Sequence, residues 1–104
     1  MSKNDYLKEG FRFFAQQDYS SAEVQFKKAL ELDPEFDLAL NALCETYNKS
    51  GKLDAAMKIA QQLVNQSPQD PLTHAVLSRI YMQKGMIQEA ENELAISTNL
   101  SSGS

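Results

Sequence analysis

The sequence predicts an all-α protein, a solenoid of three antiparallel helix pairs. The stretch 22–34 (AEVQFKKALELDP) recurs in degraded form at 56–68 (AMKIAQQLVNQSP) and again from residue 90 (AENELAISTNLSS), so equivalent residues lie 34 positions apart. Within the first copy, apolar residues follow the i, i+4, i+7, i+8 spacing that places them on one face of a helix. A fixed period made of helix-sized units indicates stacked repeats, because one helix pair cannot bury its own apolar face.

Turn and capping residues divide the chain into six helices. The pair Ser20–Glu23 has the form of a capping box, which predicts the start of the second helix, and Pro34 ends that helix. Gly51 and Gly85 can adopt positive φ and are predicted to end the third and fifth helices. The pair Asp70-Pro71 is a start signal for the fifth helix. The predicted helices are 4–16, 20–34, 37–50, 53–66, 71–84 and 87–98.

Composition and charge exclude several classes of protein. The chain is 42% hydrophobic and 23% charged, as expected for one ordinary soluble domain. Its net charge of −4 argues against a nucleic-acid binder, which normally carries a basic face. No apolar run exceeds three residues, so neither membrane insertion nor a secretory signal is expected. A single cysteine allows no internal disulfide, and a cytoplasmic location is the expectation.

Aligning the three units reveals positions that share a side-chain type. Residues with small side chains recur at Gly10, Cys44 and Ser78, and aromatic residues recur at Phe13, Tyr47 and Tyr81. Apolar residues recur at Tyr19, Leu53 and Ile87, and alanine recurs at Ala22, Ala56 and Ala90. The core face of the second helix is expected to carry Phe26, Ala60 and Leu94. The pattern resembles the tetratricopeptide repeat, and the first unit carries it best, through Tyr6, Gly10, Phe13, Tyr19, Ala22, Phe26, Ala29, Leu30, Asp33 and Pro34. The resemblance implies a right-handed superhelix in which the first helix of each pair lines a concave groove.

The resemblance covers residues 1–98 as one domain, with repeats at about 3–36, 37–70 and 71–98 and a flexible tail at 99–104. Leu43 and Leu77 are expected to pack on a preceding unit, whereas the first unit has Glu9 at that position. At the other end, Ser97-Thr98 replaces the apolar pairs of the earlier units. We therefore expect a complete small solenoid that lacks the family's C-terminal capping helix, with Leu94 and Ile96 at an exposed edge.

Function is argued from the groove, because the fold alone does not define it. In the first unit the lining positions form an apolar stripe of three helical turns, which is expected to be exposed and to bind an amphipathic helix or an extended apolar peptide. Polar lining residues of the other units would orient that partner. The predicted groove residues are Leu7, Phe11, Phe14, Leu38, Asn41, Glu45, Asn48, Leu72, Arg79 and Met82. An adaptor or assembly chaperone is therefore the first hypothesis.

The apolar stripe is also compatible with two alternatives to a foreign partner. The chain's own termini could cover it, or a second copy could, which would make the protein a self-associating module with a homodimer through the stripe or the C-terminal edge. Some three-repeat members of the family hold the acidic tail of heat-shock chaperones through a carboxylate clamp of lysine, asparagine and arginine. The corresponding positions here are Leu7, Phe11, Ala42, Leu72 and Val76. All five are apolar, so binding of that tail is not expected.

Catalysis has little support in the sequence. Cys44 and His74 are the only conceivable nucleophile and base, and both fall on core positions of the repeat, where a structural role is expected. One histidine and one cysteine do not supply three or four metal ligands at a usable spacing. The predicted protein is not an enzyme and takes neither a metal nor a cofactor.

Overall fold

The computed structural model describes residues 1–102, and these form six helices joined by short turns. The helices are α1 (Lys3–Ala15), α2 (Tyr19–Leu32), α3 (Asp37–Lys49), α4 (Leu53–Gln66), α5 (Pro71–Gln83) and α6 (Ile87–Ser102). Each consecutive pair of helices packs together, and α1 also touches α3, so the units stack in chain order. The prediction of an all-α protein is confirmed, and its dimensions of 40 × 29 × 19 Å fit a short stack. Within residues 1–102 no helix is long and apolar enough to cross a membrane.

The α2 helix begins differently from the prediction. Asp18 is the N-cap, and its carboxylate accepts a hydrogen bond from the backbone N–H of Ser21 at 3.2 Å. The predicted Ser20–Glu23 capping box is therefore wrong. The carboxylate of Glu23 lies instead 2.9 Å from the ammonium of Lys27 and 3.2 Å from that of Lys52. Because Asp18, two residues upstream of Ser20, already accepts a backbone N–H of the first turn, Glu23 is free to pair with Lys52 of the second unit.

The turn inside each helix pair uses the left-handed backbone region at one repeat position. Gly51 and Gly85 both have φ of 79°, as predicted. The equivalent residue of the first unit is Gln17, and its φ is 62°. Because a Cβ atom disfavours this region, Gln17 holds a conformation that glycine adopts without strain.

The last two helices agree with the sequence at their start and differ at their end. Asp70 caps α5 through the backbone N–H of Leu72, at 3.0 Å, and Pro71 occupies the first turn, as predicted. The α6 helix continues to Ser102, four residues beyond the predicted end at Thr98. Of the predicted tail, residues 99–102 thus belong to α6, while residues 103 and 104 lie outside the described residues. Small polar residues suggested a frayed end, but neither glycine nor proline interrupts the helix there.

The core follows the repeat. Its largest fully buried apolar side chains are Phe26, Leu40, Leu63 and Ile80, and the three repeat alanines, Ala22, Ala56 and Ala90, have no exposed surface. Gly10 lies directly under the ring of Phe26, where an added Cβ atom would meet three ring carbons at less than 3.0 Å. The small residue at position 10 thus allows a close approach of α1 to α2.

The two ends of the stack differ in the way that the sequence predicts. Leu43 and Leu77 are buried, whereas Glu9, at the same position of the first unit, pairs with Arg12 of its own helix at 2.9 Å. Ser97 is buried and donates a hydrogen bond to a backbone carbonyl of α5. Leu94 does not fill a core face as Phe26 does, and the prediction of a core position is wrong there, since 52% of the residue is exposed.

Candidate functional site

The ten predicted groove residues lie on α1, α3 and α5, the first helices of the three units. We call the ten residues together the lining face: Leu7, Phe11, Phe14, Leu38, Asn41, Glu45, Asn48, Leu72, Arg79 and Met82. Residues 34 positions apart form rows across α1, α3 and α5, since each unit repeats the helix phase of the one before. One row contains Phe11, Glu45 and Arg79, and another contains Phe14, Asn48 and Met82.

The first unit exposes less apolar surface than the sequence predicts. Leu7 is only 8% exposed and belongs to the main core, in the same cluster as Ala39 and Ala42 of α3. The ring of Phe14 is half-buried and packs edge-on against Tyr19, with ring centroids 5.4 Å apart. The expectation of a fully exposed three-turn stripe is therefore wrong at these two positions, because α3 and the start of α2 already cover them.

Of the three lining-face residues of α1, Phe11 is the one with an exposed side chain. Its side chain is 47% exposed. One edge of its ring contacts the buried ring of Phe26, with centroids 5.3 Å apart and planes at 70°. This T-shaped contact holds Phe11 in place and leaves its other side free, so the ring is a pre-positioned apolar anchor.

Three further apolar side chains of the lining face are exposed. Leu38 and Leu72 lie in the first turns of α3 and α5 and are 58% and 70% exposed. Met82, near the end of α5, is 48% exposed. Together with Phe11, they place large apolar groups on all three lining helices. Exposed apolar side chains gathered on one face can mark an interaction site.

A polar group lies between these apolar residues. The carboxylate of Glu45 accepts a hydrogen bond from the guanidinium of Arg79 at 2.8 Å, and a second from the side-chain amide of Asn48 at 3.3 Å. The pair joins α3 to α5. Both side chains are partly exposed, so the pair contributes little to stability, about 0–1 kcal/mol. The amide oxygen of Asn48 is buried and has no hydrogen-bond partner in residues 1–102. Asn41 donates to the carbonyl of Asp37 in its own helix.

The two residues weighed as a catalytic pair have separate structural partners. Cys44 is fully buried, and its thiol lies 3.5 Å from the carbonyl oxygen of Ala56. Burial raises the pKa of this thiol to about 11, which leaves almost no nucleophilic thiolate at neutral pH. His74 is 6% exposed and contacts Glu93 and Pro68. In residues 1–102, no three metal-binding side chains converge.

A depression elsewhere on the surface has no counterpart in the sequence-based predictions. It has a volume of about 430 Å³ and lies between the α2–α3 turn and the end of α4. Its lining residues are Pro34, Glu35, Gln62, Asn65 and Gln66. The side-chain amides of Gln62 and Gln66 already donate to the carbonyls of Pro34 and Glu35 across it. These bonds tie the second unit to the first.

Comparisons with known proteins place this geometry among repeat proteins. The sequence profile described as "Tetratricopeptide repeat" matches residues 13–80. A curated relative, a protein STIP1 homolog of Dictyostelium discoideum, is 27% identical over 85 residues, which are 82% of this chain and 15% of the relative. The chain thus spans a small part of that relative's length.

Solved structures with the same fold include three repeat-containing chains. A chain of a CopN-Scc3 complex matches with a TM-score of 0.88 and 18% identity, over 98% of this chain and 60% of that one. The Yersinia enterocolitica type III secretion translocator chaperone SycD matches with a TM-score of 0.86 and 19% identity, over 94% and 74% of the two chains. A tetratricopeptide repeat protein of Thermus thermophilus matches with a TM-score of 0.82 and 24% identity, over 95% and 57%. At these identities the likeness shows the fold alone.

Proposed function

The chain belongs to the tetratricopeptide repeat family, and from that premise we propose that it is a non-catalytic protein-binding module. Its partner would be an amphipathic helix or an extended apolar peptide, held in a groove lined by α1, α3 and α5. The module would act as an adaptor or as an assembly chaperone. Family membership and the fold shared with a named chaperone support a role in protein–protein interaction.

The observation that carries this proposal is the set of exposed apolar side chains on the lining face. Phe11, Leu38, Leu72 and Met82 are each about half exposed or more. Full burial of such a side chain contributes about 1.5–3 kcal/mol, so a partner that covered all four would gain several kcal/mol even at partial burial. Apolar anchors on three adjacent helices suit a partner segment that crosses them.

The polar residues of the lining face would set the partner's orientation. Glu45 and Arg79 offer one acceptor and one donor of opposite charge in the same row as Phe11. A partner with a basic residue beside its apolar stripe would engage Glu45, and one with an acidic residue would engage Arg79. Asn48 would donate or accept at the partner's backbone if its side chain turned outward.

The proposal leaves no role for a cofactor, a metal or nucleic acid. It also excludes the acidic tail of heat-shock chaperones as the ligand. Of the five clamp positions, Phe11 and Leu72 are exposed apolar residues, Val76 is half-buried, and Leu7 and Ala42 are buried. None of the five could donate a hydrogen bond to a terminal carboxylate.

A paired pull-down with matched variants tests the proposal. The test variant Phe11→Ser/Met82→Ser removes two anchors of the lining face, and the control Val24→Ser/Leu32→Ser removes two side chains of similar exposure from α2. Circular dichroism checks that both variants fold. We expect a partner that binds the wild type and the control but not the test variant. Equal capture by all three proteins would refute the lining face as the binding surface.

A self-associating module is the second candidate, and the edge of α6 favours it. Leu94 and Ile96 are 52% and 41% exposed on this terminal helix. Light scattering at high concentration separates the two functions. A dimer that Leu94→Ser/Ile96→Ser dissociates would support self-association, whereas a strict monomer would eliminate it.

A further inference from the structure

The single histidine of the chain lies between two hydrogen-bond acceptors. The Nδ1 atom of His74 is 2.6 Å from a carboxylate oxygen of Glu93 on α6, and its Nε2 atom is 2.7 Å from the carbonyl oxygen of Pro68 in the turn before α5. A backbone carbonyl and an ionised carboxylate can only accept hydrogen bonds. A neutral imidazole has one N–H, so it can satisfy one of the two. Only the doubly protonated imidazolium satisfies both.

The contact between His74 and Glu93 is the middle one of three hydrogen-bonded contacts between α5 and α6. On one side of it, the hydroxyl of Ser78 donates to the carbonyl of Ala90 at 2.7 Å. On the other side, the hydroxyl of Ser97 donates to the carbonyl of Pro71 at 2.8 Å. The partners on α5 are therefore 71, 74 and 78, and those on α6 are 97, 93 and 90, which is the order expected of antiparallel helices. Of these three contacts, only that of His74 involves a side chain that gains or loses a proton near neutral pH.

The packing of α6 against α5 is extensive, but the side chains that α6 buries there are small. Its buried residues are Ala90 and Ser97, both small, and the helix packs against α5 as its main neighbour. In the first two units the position of His74 is taken by Tyr6 and Leu40, which pack without a proton-dependent bond. A helix with so little buried apolar surface depends more heavily on its polar contacts than α2 or α4 does.

We propose that His74 makes α6 a proton-controlled element: α6 is closed against α5 while the imidazolium bridges Glu93 and Pro68, and it opens when the proton is lost. Opening would uncover the face of α5 that carries Ser78 and Tyr81, and so create a new surface at the C-terminal end of the stack. This inference does not depend on the groove.

The surroundings of His74 set the direction of the switch. Burial alone lowers the pKa of the imidazole, but the hydrogen bonds to Glu93 and Pro68 and the negative charges of Glu93 and Asp70 outweigh burial and raise the pKa above its ordinary value. A raised folded-state pKa means that the added stability is fully present below the unfolded pKa of about 6.5 and is lost as the pH rises through the folded value. The closed state is therefore most stable in mild acid, and its stability falls as the pH rises into mild alkali.

Nuclear magnetic resonance of the ¹⁵N-labelled imidazole tests the protonation directly, and no other histidine obscures the signals. We expect both ring nitrogens to be protonated at about pH 6, with a midpoint above that of the urea-unfolded chain. A midpoint at or below the unfolded value would overturn the proposal.

Hydrogen exchange tests the opening of α6. Exchange rates are measured from about pH 6 to about pH 9 and corrected for intrinsic rates. Exchange in α6 should rise relative to exchange in α3 by about tenfold for each pH unit that separates the titration midpoints of His74 in the folded and the unfolded chain. His74→Leu, which restores the residue type of position 40, should abolish this pH dependence. Glu93→Gln should move the opening to lower pH, while Glu91→Gln, an exposed change on the same helix, should not. Equal pH dependence in α3 and α6, or equal shifts from the two glutamine variants, would refute the switch.

Discussion

The contact between Gly10 and Phe26 allows a sharp test of how the first unit is packed. Helix α1 approaches α2 so closely at Gly10 that a Cβ atom would meet three ring carbons of Phe26 at under 3.0 Å. The ring cannot readily move, because it has no exposed surface and also contacts the ring of Phe11. Gly10→Ala therefore forces either the two helices apart or Phe26 out of its rotamer.

Two effects of opposite sign determine the size of the change. Alanine is favoured over glycine inside a helix by about 0.5–1 kcal/mol. Inserting a carbon into a well-packed core costs typically about 1–3 kcal/mol. Because the contact here is with a ring and not with a flexible side-chain end, we expect the upper half of that range. Gly10→Ala should therefore lower the free energy of unfolding by about 1–2.5 kcal/mol net.

Urea denaturation of a double-mutant cycle measures this effect. Phe26→Leu alone should destabilise through the cavity that it leaves. In the double variant the added methyl group occupies part of that cavity. The double variant should therefore lose about 1 kcal/mol less unfolding free energy than the sum of the losses in the two single variants. If Gly10→Ala raises the stability instead, the gain in helix propensity exceeds the packing cost and the close approach at Gly10 does not exist.

Three further predictions follow from particular positions. Ala56→Leu should overpack the helix crossing of the second unit, where Ala56 has no exposed surface, and lower stability by about 1–3 kcal/mol in urea denaturation; an unchanged midpoint would mean that the repeat register is wrong. Gln17→Gly should relieve the left-handed backbone at the first turn and raise stability by about 0.5–1 kcal/mol, a thermal midpoint higher by a few degrees; a fall would show that chain entropy dominates. Native Cys44 should react with iodoacetamide at about pH 7.5 at least a hundredfold more slowly than free cysteine, because its pKa is about 11, and rapid labelling would contradict its burial.

The features that repeat along the chain could be predicted from the sequence. The 34-residue period specified six helices, the positive φ at Gly51 and Gly85, and the burial of the three repeat alanines, because each of these depends on local chemistry that recurs in at least two units. The polarised ends were also predictable, since Glu9 replaces a leucine at one position of the period.

The features specific to one unit could not be predicted in the same way. The burial of Leu7 and Phe14 depends on how closely α1 approaches its neighbours, and that distance depends on side chains of other helices. Ser20 matched a capping pattern, but Asp18 was an equally good cap in the preceding turn. The partners of His74 lie six residues before it and nineteen residues after it, beyond the reach of any local pattern.

Site-specific photo-crosslinking tests the central claim, that the lining face binds a partner, most directly. A photo-reactive amino acid would replace Met82 or Leu72 on the lining face and, as the control, Val24 on α2, all of which are about half exposed or more. We predict that the proteins with the probe at 72 and 82 crosslink to the same partner in the source cell, and that the control does not. Crosslinks from Val24 alone, or none from either lining position, would contradict the account.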